Sequence, residues 1–232
     1  MTSAFPVPVM QVDVFTNEAY AGNPAAVCLL EAPRPDAWMS RVAKEMNCAN
    51  TAFAEPNVDG GYRQRWFTAG GVEVALCGHA TLATAHVLYE QGRLDRKTAA
   101  RFHTQSGLLT AEWRDDSIEL DFPLEVAEPV TVPDALRAGL RAPIRWLGRN
   151  RFDYVVELES ETAVRELKPD LSAPRDLGGA WRCGYGARRW SSRLSRLGFV
   201  LTLSPSQSDA RDQRVTATAP WKSVAGVRPR TR

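Results

Sequence analysis

Alternating and helical spacings of apolar residues divide the first part of the chain into short elements. Residues 10–15 alternate apolar and polar side chains, which predicts a half-buried strand, and the apolar run at 25–30 predicts a second. A helix is predicted from Pro35 to about Asn47, because apolar residues recur there at helical spacing. The same reasoning predicts two further strands, at 51–54 and 62–67.

A longer helix is predicted over residues 78–91, directly after an extended segment that runs through glycine. One stripe of this helix carries His79, Leu82, His86 and Tyr89. The glycine that follows at position 92 is suited to ending a helix. Beyond it the pattern predicts a hairpin, with strands at 108–114 and 117–122.

After a linker at 124–133 the order of elements begins again. The predicted elements there are a short helix from Pro133, a strand at 152–158 and helical segments at 161–167 and 169–177. We therefore expect a mixed α/β protein of two halves, residues 1–123 and 124–232, with a cleft between them. Past Gly179 both periodicities are lost, and only residues 198–203 still predict a strand.

The composition is typical of a soluble cytoplasmic protein. With 44% apolar residues, the 232-residue chain can bury a sizeable core. No run approaches the roughly 20 apolar residues of a membrane-spanning helix, and the first ten residues lack the features of an export signal. Four widely spaced cysteines and only three histidines give little support to a disulfide framework or a metal site.

Charge is unevenly distributed along the chain. Residues 180–232 contain ten Arg and one Lys against two Asp, a net charge of +9, which leaves −7 for residues 1–179 of a chain with a total of +2. A basic tail can bind nucleic acid, and such binding would fall steeply with salt. This tail predicts neither a basic helix nor an aromatic platform, so we expect no nucleic-acid partner.

The start of the predicted helix at residue 78 is the main candidate site. Backbone N–H groups around Gly78, His79 and Ala80 have no partner within the helix, and the helix dipole favours negative charge there. We therefore expect this helix start to bind the carboxylate of a small-molecule substrate. The same field opposes protonation of His79, which leaves a neutral imidazole available to donate a hydrogen bond or carry a proton.

Several motifs in this order resemble the phenazine-biosynthesis PhzF-like family, which is similar in fold to the diaminopimelate epimerases. The matching segments are residues 12–16, 22–27 (Gly-Asn-Pro-Ala-Ala-Val), 46–53, 65–85 around Cys-Gly-His-Ala-Thr-Leu-Ala, 102–107, 120–123 and 167–172. The resemblance covers about the first 175 residues. It implies two pseudo-symmetric halves, each a curved, barrel-like sheet around a central helix, with the active site between them.

The resemblance also implies a chemistry and a set of residues. Characterised members isomerise or epimerise small carboxylic acids by moving a proton, without a cofactor. On that basis His79 matches the active-site histidine of the family, and Gly78 would lie against the substrate. We assign further substrate binding to Ala80, Thr51 and Asn23, and we expect no metal.

One departure from the family pattern affects the chemistry directly. Where the family usually has Asn-x-Ser-Glu-Thr, this chain reads Asn-Cys-Ala-Asn-Thr over residues 47–51, so Asn50 stands at the position of the proton-transferring glutamate. An amide does not accept a proton at accessible pH, and loss of a general base typically costs about 10²- to 10⁴-fold in rate. Asn50 either binds substrate by hydrogen bonding or serves as a turn residue.

A second departure concerns the other half. The family's Asp-Pro-Val-Thr-Gly-Ser-Ala motif has no match between Gly179 and Arg232, so we expect the second half to be incomplete. The rise in Arg, Trp and Ser at this point suggests either a shifted reading frame or a remodelled terminus. Comparison of the coding DNA in all three frames distinguishes these two origins. An incomplete half would expose sheet edges and apolar surface, which favours a homodimer.

Other side chains near the motif have structural interpretations. Cys77 beside a helix start could be a nucleophile, but it also suits a small buried residue. Glu45 and Glu73 could replace the missing base, although both fit solvent-facing positions. We expect His86 to be packed and hydrogen-bonded, and His103 to lie in a strand. The alternative to an isomerase is a non-catalytic family member that retains the cleft for ligand binding.

Overall fold

The structure is a computed structural model that describes most of the chain up to residue 170. The described residues are 7–16, 20, 22–115, 117–123, 127–150, 154–160, 162–163 and 166–170, with the backbone of three later strands. They fall into two units, of which the first comprises Met1–Pro123 with Arg214–Arg232 and the second Leu124–Gln213. The strand at Arg214–Pro220 thus lies in the first unit, which differs from the predicted assignment of all of 124–232 to the second half.

The described elements are fourteen strands and three helices. The strands are β1 (Val9–Val14), β2 (Asn23–Leu29), β3 (Asn50–Pro56), β4 (Tyr62–Thr68), β5 (Glu73–Val74), β6 (Ala100–Thr104), β7 (Gly107–Arg114), β8 (Ser117–Pro123), β9 (Glu128–Pro129), β10 (Ile144–Arg149), β11 (Tyr154–Leu158), β12 (Trp181–Gly184), β13 (Phe199–Leu203) and β14 (Arg214–Pro220). The helices are α1 (Asp36–Met46), α2 (Gly78–Glu90) and α3 (Asp134–Leu140).

A single curled sheet forms the frame of the first unit. Its strand order is β1-β2-β3-β4-β6-β7-β8-β14, with the short β5 paired to β4. The pairs β2–β3 and β4–β6 are parallel, and the remaining pairs are antiparallel. Helix α2 contacts β1, β2 and β3 as well as β8, which lies toward the other end of the order. The sheet therefore wraps around α2.

Helix α2 is buried on every side. All residues from Ala80 to Tyr89 are buried, so this is a central helix rather than an amphipathic one with a single apolar stripe. Its buried hydroxyls are satisfied locally, because Thr81 donates to the carbonyl of Cys77 (2.7 Å) and Thr84 to that of Ala80 (2.8 Å). The expected packing of His86 is also found, with 4% exposure and a pKa that burial lowers.

Helix α1 covers the opposite face of the sheet. It begins after Pro35 and ends at Asn47, whose left-handed backbone (φ 50°) stops the helix close to the predicted position. Its buried face joins an apolar cluster formed by Cys28, Leu30, Met39, Ala43, Phe53 and Phe67. The sheet thus separates two cores, one around α2 and one under α1.

The second unit has its own sheet and core. Its strand order is β12-β13-β11-β10-β9, and the described core consists of Leu136, Leu140, Leu147, Tyr154, Val156, Leu158 and Leu167. Of the predicted helix at 161–167, residues 162–163 are helical and 166–167 are not, and 161, 164 and 165 lie outside the described residues. Asp170 of the irregular segment that follows donates a backbone hydrogen bond to the Gly139 carbonyl of α3 (2.7 Å). Most of the predicted helix at 169–177 lies outside the described residues.

The mixed α/β fold with a curled sheet confirms the predicted fold class. Most predicted strands of the first unit are present, with longer bounds than predicted. Four strands were missed: the two-residue β9 inside the predicted linker, β10, β12 and the returning strand β14. The second unit's expected central helix falls outside the described residues. Among the described helices, none has both the length and the apolar character needed to cross a bilayer.

Candidate active site at the start of helix α2

The chain reaches the start of α2 through a tight turn after β4. The turn is closed by backbone hydrogen bonds from Gly71 to the Thr68 carbonyl (2.7 Å) and from Thr68 to the Val72 carbonyl (2.8 Å). Gly71 has φ 76°, and an added Cβ would collide with Ser40 and Lys44 of α1. The Ser40 hydroxyl also donates to the Gly71 carbonyl (2.8 Å). These contacts fix the turn against α1.

A three-way ion pair holds the next segment. Arg65 of β4 donates from Nε and Nη2 to the two carboxylate oxygens of Glu73 in β5, at 2.6 Å each, and from Nη1 to Asp36 at the start of α1 (2.7 Å). The bonds to Glu73 raise the pKa of Arg65, and the bond from Arg65 lowers the pKa of Asp36. From the sequence we expected Glu73 to face solvent. In the structure its carboxylate is instead bound by Arg65.

The first turn of α2 has neither a capping side chain nor an acidic residue. Its N-cap residue, Cys77, makes no side-chain capping hydrogen bond, and the first turn contains no acidic residue. The dipole of this 13-residue helix is therefore not offset by a carboxylate at its start. Gly78 leaves room as well, because an added Cβ would make only ordinary contact with Leu120, at 3.7 Å.

Cys77 and His79 contact each other at this helix start. The Cys77 sulfur lies 3.3 Å from Nδ1 of His79, and which of the two donates depends on the imidazole tautomer. Cys77 is buried, with 8% exposure, whereas His79 is partly exposed. The expected buried cysteine is thus also the immediate neighbour of the predicted active-site histidine.

Asn50 opens β3 on the side of the sheet that faces α2. Side chains alternate along this strand, with Ala52 in the core around α2 and Phe53 in the core under α1. Asn50 shares the face of Ala52 and is 7% exposed. Within the described part of the chain its amide forms no side-chain hydrogen bond. Thr51 lies on the opposite face, so the structure does not bring its side chain together with His79.

Asn50 and the start of α2 lie at the same end of the sheet. Gln91, just past the end of α2, donates to the sulfur of Met10 near the start of β1 (3.5 Å), so α2 runs antiparallel to β1. Strands β2 and β3 therefore run in the same direction as α2. The starts of β2, β3 and α2 carry Asn23, Asn50 and Gly78, respectively. Asn23 is exposed at this end of β2, two residues before Ala25, which pairs with Asn50.

The remaining candidates lie near the β6–β7 turn and in the first turn of α2. His103 in β6 has a partner that sequence reasoning did not supply, since Nε2 lies 3.0 Å from the Gly60 carbonyl. Sequence reasoning also missed Ser106, whose hydroxyl donates to the Ala75 carbonyl (2.9 Å) and so ties the β6–β7 turn to the approach to α2. Ser106 could have been chosen from the sequence, because it lies in segment 102–107, which resembles the family. Ala80 is buried in the first turn of α2.

A metal cluster and a cavity are the other features that could mark a ligand site. Among the described residues, no group of three or more His, Cys, Asp or Glu side chains is arranged to hold a metal ion. A small cavity of about 20 Å³ lies on the α1 side of the sheet, lined by Leu30, Pro33, Arg34, Met39, Phe53, Glu55, Arg63 and Arg65. It is on the opposite face from Asn50.

Comparison with known proteins identifies the family of this chain. The family model described as "Phenazine biosynthesis-like protein" matches residues 12–188. An uncharacterized isomerase of Halalkalibacterium halodurans is 50% identical over 166 residues, which is 71% of this chain and 62% of the relative. The chain therefore spans less than two thirds of the length of this curated relative.

Solved structures agree with this result. A phenazine biosynthesis protein of the PhzF family from Enterococcus faecalis superposes with a TM-score of 0.65 at 37% identity, covering 73% of this chain and 64% of that one. A predicted epimerase from Pseudomonas aeruginosa superposes with a TM-score of 0.58 over 85% of this chain and 78% of its own. Because its identity is 22%, the second structure supports the fold alone.

Proposed function

Because the chain belongs to the phenazine biosynthesis-like family, we propose that it is a cofactor-independent isomerase or epimerase that moves a proton on a small carboxylic acid. Membership of the family supports an isomerase-type activity in general. The observation that supports a specific site is the uncapped start of α2, with His79 in its first turn and Asn50 at the same end of the sheet.

The helix start meets the main energetic demand of such a reaction. Removal of a proton from the carbon beside a carboxylate places a second negative charge next to the first. Backbone N–H groups at Gly78, His79 and Ala80 and the positive end of the dipole stabilise that charge where it develops. Since no acidic side chain occupies this first turn, a carboxylate binds without competition from the protein itself.

The side chains around the helix start have distinct roles in this proposal. His79 stands beside the bound carboxylate, and the proton shift depends on its imidazole. Asn50 cannot act as a base, but its amide can donate to an oxygen of the substrate and accept from a hydroxyl or amino group. Its burial in the absence of a described side-chain partner suits a group that bonds to a ligand.

Solvent deuterium incorporation tests this function directly. A panel of 2-hydroxy and 2-amino acids is incubated with the protein in D₂O and followed by NMR for loss of the proton beside the carboxylate. We expect at least one acid to exchange, and we expect His79→Ala to slow exchange about 10²- to 10⁴-fold. His103→Ala is the matched control, because His103 bonds to the Gly60 carbonyl away from the helix start.

Two results would count against the proposal. If the wild-type protein exchanges none of the acids, the chain is better described as a non-catalytic member that binds ligand. If His79→Ala and His103→Ala slow exchange equally, His79 has no special role. Thermal melts of both variants, followed by circular dichroism, distinguish a lost reaction from a lost fold.

A further inference from the structure

We propose that Arg65 is a positioning residue for the reaction, because it holds the segment that leads into α2 and so fixes where this helix starts. Residues 73–77 form this approach segment, and α2 follows directly at Gly78. Arg65 shares the α1 face of β4 with Phe67, so it acts on the site from the other side of the sheet. The inference rests on the proposed function and adds a residue that works through Glu73.

The bond between Arg65 and the approach segment is paired and partly buried. Nε and Nη2 of Arg65 donate to separate carboxylate oxygens of Glu73, at 2.6 Å each. The side chains are 17% and 23% exposed, so solvent screens this pair less than an ion pair at the surface. The guanidinium carbon also lies 5.3 Å from the centroid of the Phe67 ring. Two parallel hydrogen bonds from a planar group fix direction as well as distance, which leaves Glu73 little freedom to move.

Other contacts hold the approach segment further along. The short strand β5 pairs with β4, and the Ser106 hydroxyl donates to the Ala75 carbonyl (2.9 Å) from the β6–β7 turn. Leu76 packs against the core around α2. Glu73 is the one charged residue in the approach segment. Its ion pair therefore sets the position of the segment at the end that lies farther from the helix.

The proposed site is sensitive to small displacements of the helix start. The N–H groups of its first turn stabilise charge only when they point at the carboxylate oxygens within hydrogen-bonding distance. A misplacement of about 1 Å can cost about 100-fold in rate, even when the substituted residue is far from the reacting atoms. Neither Arg65 nor Glu73 belongs to the apolar clusters around α2 and under α1. Loss of their bond should therefore slow the reaction while the fold persists.

Asp36 provides a matched control, because the same guanidinium binds it through Nη1 (2.7 Å). This carboxylate begins α1, does not lead into α2 and is 75% exposed. The experiment compares solvent deuterium exchange of the fastest panel acid by the full chain as wild type, Glu73→Gln and Asp36→Asn. Glu73→Gln keeps the size of the side chain but loses the charge and one acceptor oxygen. We expect it to lower kcat at least about tenfold, and we expect Asp36→Asn to stay within about twofold of wild type.

The comparison separates the positioning role from the proposed function. Equal rates for Glu73→Gln and Asp36→Asn would overturn the positioning role of Arg65 and leave the proposed function standing. If circular dichroism shows that Glu73→Gln does not fold, Arg65→Lys takes its place, because lysine keeps the charge but cannot form two parallel bonds. The same loss of at least about tenfold in kcat is expected for that variant.

The position of the helix start can also be compared without substrate. In ¹⁵N spectra we expect Glu73→Gln to shift the backbone amide signals of Gly78, His79 and Ala80, and Asp36→Asn to leave them unchanged. A lower urea midpoint for Glu73→Gln with these three signals unmoved would show a general contribution to stability and would overturn the inference. If wild type exchanges no acid, the proposed function fails, whereas these amide shifts still decide whether Arg65 positions the helix start.

Discussion

Replacement of Asn50 by glutamate should raise the rate of solvent deuterium exchange about 10²- to 10⁴-fold, the usual contribution of a positioned general base. Asn50 begins β3 on the face of the sheet that looks toward α2, at the end where that helix starts. A carboxylate at this position can accept the proton that an amide cannot. The NMR exchange assay with the same panel of acids measures the effect.

The matched control is Asn50→Gln, which has the length of glutamate without its basicity. If Asn50→Glu exchanges no faster than Asn50→Gln, a base at position 50 is not what limits the reaction.

Substitution of Leu82 by alanine should lower the free energy of unfolding by about 2–5 kcal/mol. Leu82 is 1% exposed in the middle of α2, inside the core that the curled sheet encloses. Removal of three carbon atoms there leaves a cavity that the surrounding strands can close only in part. Urea denaturation measures the change, with the m-value as a check on two-state behaviour.

Leu108→Ala provides the comparison for this substitution. Leu108 is 43% exposed on β7, so its truncation should change the free energy of unfolding by no more than about 0.5 kcal/mol. A change below about 1 kcal/mol for Leu82→Ala would contradict a fully enclosed α2. The first turn of the helix would then also lack the rigid support on which the proposed site depends.

Local pattern was sufficient for much of the first unit. Helix α2 was predicted at 78–91 and is found at Gly78–Glu90, with Gly92 in the left-handed conformation (φ 64°) that such a helix end favours. Its burial on every side was implied by the family resemblance and not by the local pattern, because a stripe of apolar residues does not reveal what encloses the helix. That property depends on β8 and the first three strands together.

Strands that depend on distant partners were harder to predict. The residues of β14 include only one large apolar side chain, Val215, yet the strand pairs with β8 along its whole length. Strand β10 contains Arg145 and Gly148, which disturb the alternation, but it is held between β9 and β11 and its arginine bonds to Glu157 (3.3 Å). Pairing across the sheet outweighs local preference in both cases.

In the candidate site, too, the sequence predicted some side-chain positions and not others. Asn50 was assigned to catalysis and Thr51 to substrate binding, and alternation along a strand directs these two neighbours to opposite faces. That rule was available from the sequence and would have separated them. The link from Arg65 to Glu73 and Asp36 required the fold, because it joins three different elements.

The central claim is that the start of α2 binds the carboxylate of the substrate. A titration of ¹⁵N-labelled protein with the acid that exchanges fastest, followed through backbone amide shifts, tests it most directly. We predict saturable shifts at the amides of Gly78, His79 and Ala80, which reach half-maximum at the same concentration as the exchange rate. Saturable shifts confined to the α1 side of the sheet, around Arg34 and Arg63, would contradict the account.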